Sequence, residues 1–239
     1  MPLRIRDLHP WDVDARAATE IQRSLARDVK LASPWRALPK RMTVAAADVS
    51  CPRGSKRIVA AAVVVRLPEL RPVEVARVER DATFPYIPGY LSFREAPVVL
   101  ETLSRLSSEV DVILCDGQGL AHPRGVGLAC HVGLCAGVPT VGCAKSRLCG
   151  EHDEVGPDKG DAVPLVLGGR TVGRVLRSRA KTKPLYVSPG HLMSVAQSVR
   201  LVMACVTKYR LPDPARFAHQ AAGWRGSAAS LLPHLQARP

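Results

Sequence analysis

Residues 110–117, VDVILCDG, indicate the fold more directly than any other stretch of the sequence. The run is apolar without alternation and ends in Asp116-Gly117. A run of this kind is typical of a strand buried on both faces, as in a parallel sheet. In open sheets, sites form beyond the carboxyl ends of parallel strands. The stretch therefore predicts an α/β fold and places Asp116 in a candidate site.

Three short segments rich in β-branched and small residues precede this strand. They are MTVAAADVSC at 42–51, RIVAAAVVVRL at 57–67 and VEVARVERDAT at 73–83, and the turn-like PRGSK at 52–56 separates the first two. Such spacing predicts an antiparallel meander of three strands. A mixed sheet, in which the meander is followed by parallel strands, is therefore expected.

Helical periodicity predicts the elements that cover this sheet. We expect a first helix within 14–30, a second from Leu91 to Leu106 with Pro97 near its first turn, and a third at GVGLACHVGLCAG, 125–137. A last helix is predicted to begin with Ser188 as its cap and Pro189 at its first position. The remaining predicted strands are PTVGCAKS at 139–146, TVGRVLRS at 171–178 and PLYVS at 184–188.

The length of 239 residues suits one sizeable α/β domain, which we place at 1–222. The weakly periodic end, 223–239, is predicted to be a partly ordered tail. The N-terminus lacks a signal-peptide core, and the longest apolar run, IVAAAVVV at 58–65, is too short to span a bilayer. A cytoplasmic monomer without membrane attachment is expected.

The charge and the cysteines narrow the class of protein. Lys and Arg number 34 against 21 Asp and Glu, giving a net charge of +13, which favours a polyanionic partner such as nucleic acid. A merely basic, solvated surface is the alternative. The seven cysteines form no C-x-x-C pair, so we expect reduced thiols such as Cys130, Cys135, Cys143 and Cys149 in the core rather than a zinc site.

Three carboxylates stand where metal-dependent chemistry could use them. Asp48 lies inside an apolar strand, Glu95 early in a helix, and Asp116 at a strand end. Burying a carboxylate is costly unless a metal or hydrogen bonds satisfy it, and Mg²⁺ prefers such hard oxygen ligands. Alternatively, Asp116 belongs only to a turn, Asp48 faces solvent at a strand end, and Glu95 is a solvated residue paired with Arg94.

The segment DGQGLAHPRGVGLAC, 116–130, has glycines between a strand and a helix. It lacks the third glycine or alanine of a dinucleotide fingerprint, and no phosphate-binding G-x-x-x-x-G-K-[ST] loop is present, so no nucleotide cofactor is expected. The glycines are instead expected to allow close approach to a substrate. His122 and Arg124 are candidate phosphate or base contacts, and Lys145 would lie at the same sheet edge as Asp116.

Several long motifs, in order, closely resemble the endonuclease V family. They are FPYIPGYLSFRE at 84–95, DGQGLAHPRGVG at 116–127, GCAKSRLCG at 142–150 and VSPGHLM at 187–193. The resemblance implies a ribonuclease H-like fold, a three-layer α/β arrangement with helices on both faces of the mixed sheet. It also implies a DNA repair enzyme that recognises deoxyinosine and cuts the second phosphodiester bond 3′ to it, using Mg²⁺ or Mn²⁺ and leaving 3′-hydroxyl and 5′-phosphate ends.

The resemblance also assigns roles to residues. It implies that Asp48, Glu95 and Asp116 bind the metal, that His219 acts near it, and that Lys145 lies near the scissile phosphate. Tyr86 matches the family's wedge, which fills the gap left by a displaced base. The predicted substrate-binding residues are Pro85, Tyr86, Ile87, Pro88, Gly89, Leu91, Gly117, Gln118, Gly119, Leu120, His122 and Arg124.

Two other functions remain open from the sequence. One is an endoribonuclease on inosine-containing RNA, which the basic charge does not distinguish because both backbones are anionic. The other is a non-catalytic protein that only detects lesions. Against the second, a pure binder gains nothing from acidic residues that face phosphates.

Overall fold

The chain folds around a single mixed sheet of eight strands in the order β3-β2-β1-β4-β5-β8-β7-β6. The computed structural model describes residues 3–51 and 55–237. The strands are β1 (Met42–Ser50), β2 (Arg57–Leu67), β3 (Arg71–Asp81), β4 (Val112–Cys115), β5 (Thr140–Ala144), β6 (Ala162–Leu167), β7 (Arg170–Leu176) and β8 (Leu185–Pro189).

The strand directions confirm the predicted mixed sheet. Strands β1, β2 and β3 are antiparallel neighbours, while β4 runs parallel to β1 and β5 runs parallel to β4. With helices on both faces, this is the expected ribonuclease H-like, three-layer α/β fold. Part of the turn predicted at 52–56, residues 52–54, lies outside the described residues.

The helices cover both faces of the sheet. They are α1 (Ala15–Leu25), α2 (Leu91–Ser104), α3 (Leu128–Ala136), α4 (Val195–Ala204), α5 (Asp213–Ala222) and α6 (Ala228–Gln236). One core lies between the sheet and helices α2 and α3, and the other contains residues of α4, α5 and α6. None of these helices, in the part of the chain that is described, has the length and apolar character needed to cross a membrane.

The alternation of β1 decides where its carboxylate points. Ala45 and Ala47 belong to the core under α2 and α3, whereas Val44 and Ala46 belong to the core on the α5 side. Because successive side chains of a strand point to opposite faces, Asp48 follows Ala46 toward α5. The small alanines of β1 allow the covering helices to pack close to the sheet.

Several predicted boundaries were wrong. Ser188 and Pro189 do not start a helix but lie in β8, and α4 begins after Ser194, whose side chain accepts a hydrogen bond from the Gln197 backbone. Leu192 has a positive φ of 53°, so the helical pattern cannot extend back through it. Pro97 lies in the interior of α2 rather than in its first turn.

Three elements, strand β6 and helices α5 and α6, were absent from the prediction. Strand β6 pairs with β7 at the sheet edge, and its polar flanks concealed it in the sequence. Within 223–239, predicted as a partly ordered tail, helix α6 packs Leu231 and Leu235 into the core; these residues are 2% and 0% exposed.

Candidate active site

Asp48 and Asp116 lie side by side on neighbouring parallel strands. The register pairs Ala47 of β1 with Cys115 of β4, so the next residue on each strand is an aspartate. The Asp116 backbone N–H donates to the Ala47 carbonyl at 3.3 Å, which extends this register. Asp48 is only 8% exposed, which rules out a solvent-facing strand end.

Glu95 projects from α2 toward the same two carboxylates. Burial and the charges of Asp48 and Asp116 together raise the pKa of Glu95 from 4.5 to about 8, against the smaller opposing charges of Arg94 and Lys145. The Arg94 guanidinium instead donates to the Phe84 carbonyl at 2.8 Å. A solvated Glu95 paired with Arg94 is therefore excluded, and the three carboxylates act on one another electrostatically.

Two basic side chains meet the two aspartates. His219 of α5 shares a hydrogen bond with Asp48, with 2.7 Å between Nδ1 and Oδ2. The Lys145 ammonium, just after β5, donates to Asp116 Oδ2. Because an ionised Asp48 can only accept, Nδ1 of His219 carries the hydrogen in this contact, and whenever the ring is neutral its acceptor is Nε2. The His219 side chain is 64% exposed, so water reaches that nitrogen.

Burial and charge have opposing effects on the pKa values of Asp116 and Lys145. Burial raises the pKa of Asp116, as do the charge of Asp48 and a hydrogen bond with its carboxyl group, while Lys145 opposes the rise. Burial lowers the pKa of Lys145, but the charge and hydrogen bond of Asp116 outweigh it and leave that pKa raised. Lys145 is therefore a cation that partly balances a crowded acidic site.

The chemistry of the donor set fits a divalent cation. Burial and the charge of Asp48 raise the pKa of both Glu95 and Asp116, so a nearby positive charge would stabilise their ionised forms, and carboxylate oxygens are the ligands Mg²⁺ prefers. As the side chains lie, no His, Cys, Asp and Glu group within residues 3–51 and 55–237 already forms a metal-binding cluster. The two aspartates contact basic side chains instead, Asp116 with Lys145 and Asp48 with His219.

A cavity of about 280 Å³ opens directly beside these residues. Asp116 and Lys145 form part of its wall, and the exposed Tyr86 stands at its edge with 71% of its surface accessible. Of the predicted substrate-binding residues, those that line the cavity are Tyr86, Ile87, Pro88, Gly89, Leu91, Gly117, Gln118 and His122. Two of the predicted catalytic residues, Asp116 and Lys145, thus share a wall with the predicted base pocket.

The other predicted contacts lie elsewhere. Pro85, Leu120 and Arg124 are not part of the cavity wall, and Gly119 is packed against β8. A Cβ on Gly119 would stand 2.1 Å from the Pro189 carbonyl oxygen, and its N–H donates to Ser188 at 2.8 Å. This glycine allows the loop after β4 to approach protein backbone rather than a substrate.

Two polar atoms of the cavity wall have no hydrogen-bond partner. They are Ser92 Oγ and Gln118 Oε1, on side chains that are 2% and 8% exposed. Gln118 is fixed by a 2.9 Å bond from its amide nitrogen to the Ser146 carbonyl, which leaves the acceptor oxygen free. Buried polar groups are nearly always paired, so these two atoms are candidate ligand contacts. No local pattern marks Ser92, because it lies between apolar residues at a helix start.

The wall of the cavity also contains residues that the sequence prediction missed. They are Ser146, Arg147 and Leu148, in the loop after β5. Their proximity to residues 86–92 depends on sheet order, which places β5 two strands from β1. No local pattern in the sequence marks them.

Comparison with known proteins identifies the family. The model of the endonuclease V family matches residues 23–220. An endonuclease V from Alkalilimnicola ehrlichii is 43% identical over 229 residues, covering 96% of this chain and 100% of that protein. The chain belongs to the endonuclease V family.

Solved structures of endonuclease V share the fold. The crystal structure of the Streptomyces avermitilis protein has a TM-score of 0.84 and 36% identity, covering 93% of this chain and 96% of that one. The Ciona intestinalis endonuclease V was solved with a 24mer DNA containing an inosine followed by a ribo-adenosine; it has a TM-score of 0.77 and 26% identity, covering 87% of this chain and 95% of that one. The matched span, 23–220, contains all five predicted catalytic residues, from Asp48 to His219.

Proposed function

We propose that this protein is a DNA repair endonuclease that recognises deoxyinosine. It hydrolyses the second phosphodiester bond 3′ to the lesion, leaves 3′-hydroxyl and 5′-phosphate ends, and requires Mg²⁺, for which Mn²⁺ can substitute. The observation that carries the proposal is the shared wall: the cavity edged by Tyr86 opens onto Asp116 and Lys145. Base recognition and strand cleavage would then occur within one connected site.

The free atoms of the cavity suit the hydrogen-bonding edge of hypoxanthine. Hypoxanthine carries a hydrogen on N1, where adenine has an acceptor. Gln118 Oε1 is a fixed acceptor without a partner, and the Ser92 hydroxyl can donate or accept. A base that leaves a buried acceptor unpaired is strongly rejected, so this wall supports selection of hypoxanthine over adenine.

The segment FPYIPG at 84–89, called the knuckle below, carries Tyr86 and supports base displacement. Pro85 and Pro88 flank the Tyr86-Ile87 pair and restrict φ, which lowers the entropy lost when the tip is presented. Enzymes that act on a displaced base must extract it from the stack, and an inserted apolar or aromatic side chain can fill the gap. The exposed Tyr86 ring is placed to do so at the cavity edge.

The residues around the cavity supply the remaining chemistry. Asp48, Glu95 and Asp116 would hold the metal, which when bound supplies Lewis acidity toward the phosphodiester. Lys145 places a positive charge beside Asp116, where it can balance the charge that develops on the phosphate. His219, oriented by Asp48 through Nδ1, presents Nε2 as an acceptor for a proton from the attacking water.

A nicking assay tests the proposal. The substrate is a duplex with one deoxyinosine, labelled at each end in turn, with the matched deoxyadenosine duplex as control. We expect one Mg²⁺-dependent product whose ends map to the second bond 3′ to the lesion, abolished by EDTA and restored by Mn²⁺. Equal cutting of both duplexes, or no product with intact protein, would overturn it.

The nucleic acid itself belongs in the same experiment. The Ciona intestinalis ligand carried a ribonucleotide after its inosine, so matched DNA and RNA oligonucleotides should be compared side by side. Faster cleavage of the DNA is the expected result. A clear preference for RNA would refute the DNA assignment while leaving the inosine specificity and the catalytic residues in place.

A further inference from the structure

The backbone carbonyl of Gly89, at the end of the knuckle that carries Tyr86, accepts hydrogen bonds from three side chains. Gln22 Nε2 lies 3.1 Å from it, His122 Nε2 2.9 Å and Arg124 Nη2 2.6 Å. His122 Nδ1 accepts from the Arg124 backbone N–H at 3.2 Å, so in the neutral ring the hydrogen is on Nε2 and that atom donates. Three side chains from two distant parts of the chain therefore converge on one backbone oxygen.

Gln22 connects these donors to one another. Its Oε1 accepts from Arg124 Nε at 2.5 Å, and its Nε2 also reaches the Val126 carbonyl at 3.3 Å. The residue lies in α1 and is 0% exposed. Both ends of the buried amide are satisfied, so Gln22 holds the Arg124 guanidinium in one orientation.

The same helix also supports the residue after Gly89. Thr19 Oγ1 lies 2.8 Å from the Tyr90 hydroxyl, and the Arg124 guanidinium is stacked over the Tyr90 ring at 4.3 Å from its centre. Gly89 itself has a φ of +83°, a conformation that favours glycine and turns the chain sharply. We call the side chains that make these contacts, Thr19, Gln22, His122 and Arg124, the Gly89 clamp. The clamp fixes the point at which the knuckle joins α2.

We propose that Gln22 is a positioning residue for lesion recognition: it holds Arg124 against the Gly89 carbonyl, so that Tyr86 is presented in one orientation. The inference rests on the proposed function of the Tyr86 knuckle. Because Tyr86 is 71% exposed, it makes few contacts of its own, and its order depends on the residues at the foot of the knuckle. Binding gains affinity when a recognition element is already ordered before contact.

This role also gives α1 a function. Gln22 lies just before the span matched by the family model, 23–220. Arg124, predicted as a phosphate or base contact, directs its guanidinium inward to Gly89, Gln22 and the Tyr90 ring instead. The N-terminal helix is therefore part of the recognition apparatus rather than only a cover for the core.

The test uses a glutamine of similar burial as its control. Gln22→Met keeps the size and helix-forming character of the side chain but removes its hydrogen bonds. Gln197 of α4 is also buried, at 6% exposure, and donates to the Trp35 carbonyl at 2.5 Å, remote from the cavity. Gln197→Met therefore controls for the general cost of losing a buried amide.

The measurement is the affinity for a deoxyinosine duplex and for the undamaged duplex, both in an Asp116→Asn background in which cutting is expected to be slow. We expect Gln22→Met to weaken deoxyinosine binding by roughly 5- to 30-fold, the effect of one or two lost hydrogen bonds, with undamaged-duplex binding unchanged. Gln197→Met should leave both affinities within about twofold, since it touches neither surface. Equal effects of the two variants, or full discrimination in Gln22→Met, would overturn the inference.

Hydrogen exchange in the free protein separates this inference from the proposed function. Gln22→Met should speed amide exchange across 84–93 while Gln197→Met does not, whether or not the protein prefers inosine. Unchanged exchange across that segment would overturn the clamp. If Gln22→Met does not fold, Gln22→Ala replaces it, because alanine removes both the acceptor for Arg124 and the donor to Gly89, and the same outcomes apply.

Discussion

Replacing Glu95 with glutamine should stabilise the metal-free protein, and the gain should grow with pH. Burial, followed by the charges of Asp48 and Asp116, raises the pKa of Glu95 from 4.5 to about 8. Between these two values the folded protein keeps a proton that the unfolded chain releases, so stability falls as pH rises and levels off above 8. At 1.36 kcal/mol per pH unit, the loss from pH 5 to 7.5 is about 3 kcal/mol.

The assay is urea unfolding of both proteins in EDTA at several pH values. A protonated glutamate resembles glutamine, so the two stabilities should be close at pH 5 and differ by about 3 kcal/mol at pH 7.5. Glu101→Gln is the matched control on the same helix; it removes exposed ion pairs with Arg80 and Arg105 worth roughly 0–1 kcal/mol each. A Glu95→Gln difference that stays constant across this range would refute the electrostatic account of the site.

Three further predictions test the reaction and its surface. Asp116→Asn should lower the rate of deoxyinosine nicking by roughly a hundredfold or more, measured in single turnover, because metal binding and the Lys145 contact are both disturbed; a rate near that of the parent would contradict its role. Tyr86→Ala should weaken deoxyinosine binding by roughly 1–3 kcal/mol, whereas Tyr86→Phe should keep the affinity of the parent protein. An alanine variant that binds as tightly as the parent would contradict a stacking wedge. Alanine at the exposed Arg179, Lys181 and Lys183, in the β7–β8 loop at the Lys145 edge, should reduce the slope of log affinity against log salt by up to about 2.7; an unchanged slope would place the DNA elsewhere.

The sheet and its carboxylates could be predicted because local patterns encode them. Continuous apolar runs marked β1, β2 and β4, and a parallel register then places the residues after Ala47 and Cys115 next to each other. The order of strands is a different matter: the rule that consecutive strands pair does not give it, because β4 lies beside β1 rather than β3, and β5 lies beside β8 rather than β6. The aspartate pair follows directly from that register.

The start of the last predicted helix could not be placed from local pattern. Ser188-Pro189 has the composition of a helix start, yet the Ser188 hydroxyl accepts from Gly119 and the Pro189 carbonyl accepts from Leu120. Tertiary pairing with β5 decided the conformation there, and a second serine, Ser194, caps the helix instead. Local propensity is a weak guide wherever a neighbouring strand offers hydrogen bonds.

The contacts around the Gly89 carbonyl, which we propose position Tyr86, were the least predictable part because they join residues that are distant in sequence. Gln22 and Arg124 are separated by 102 positions, and nothing in the spacing of either residue marks the bond between them. An isolated glutamine on a helix is ordinarily a surface residue, whereas this one is fully buried with both amide atoms paired. The prolines of the knuckle explain why its tip is stiff, but stiffness alone does not orient it. To orient Tyr86, the end of the knuckle at Gly89 must also be fixed. The Gly89 carbonyl can serve as that fixed point only because the fold brings α1 and the loop after β4 together.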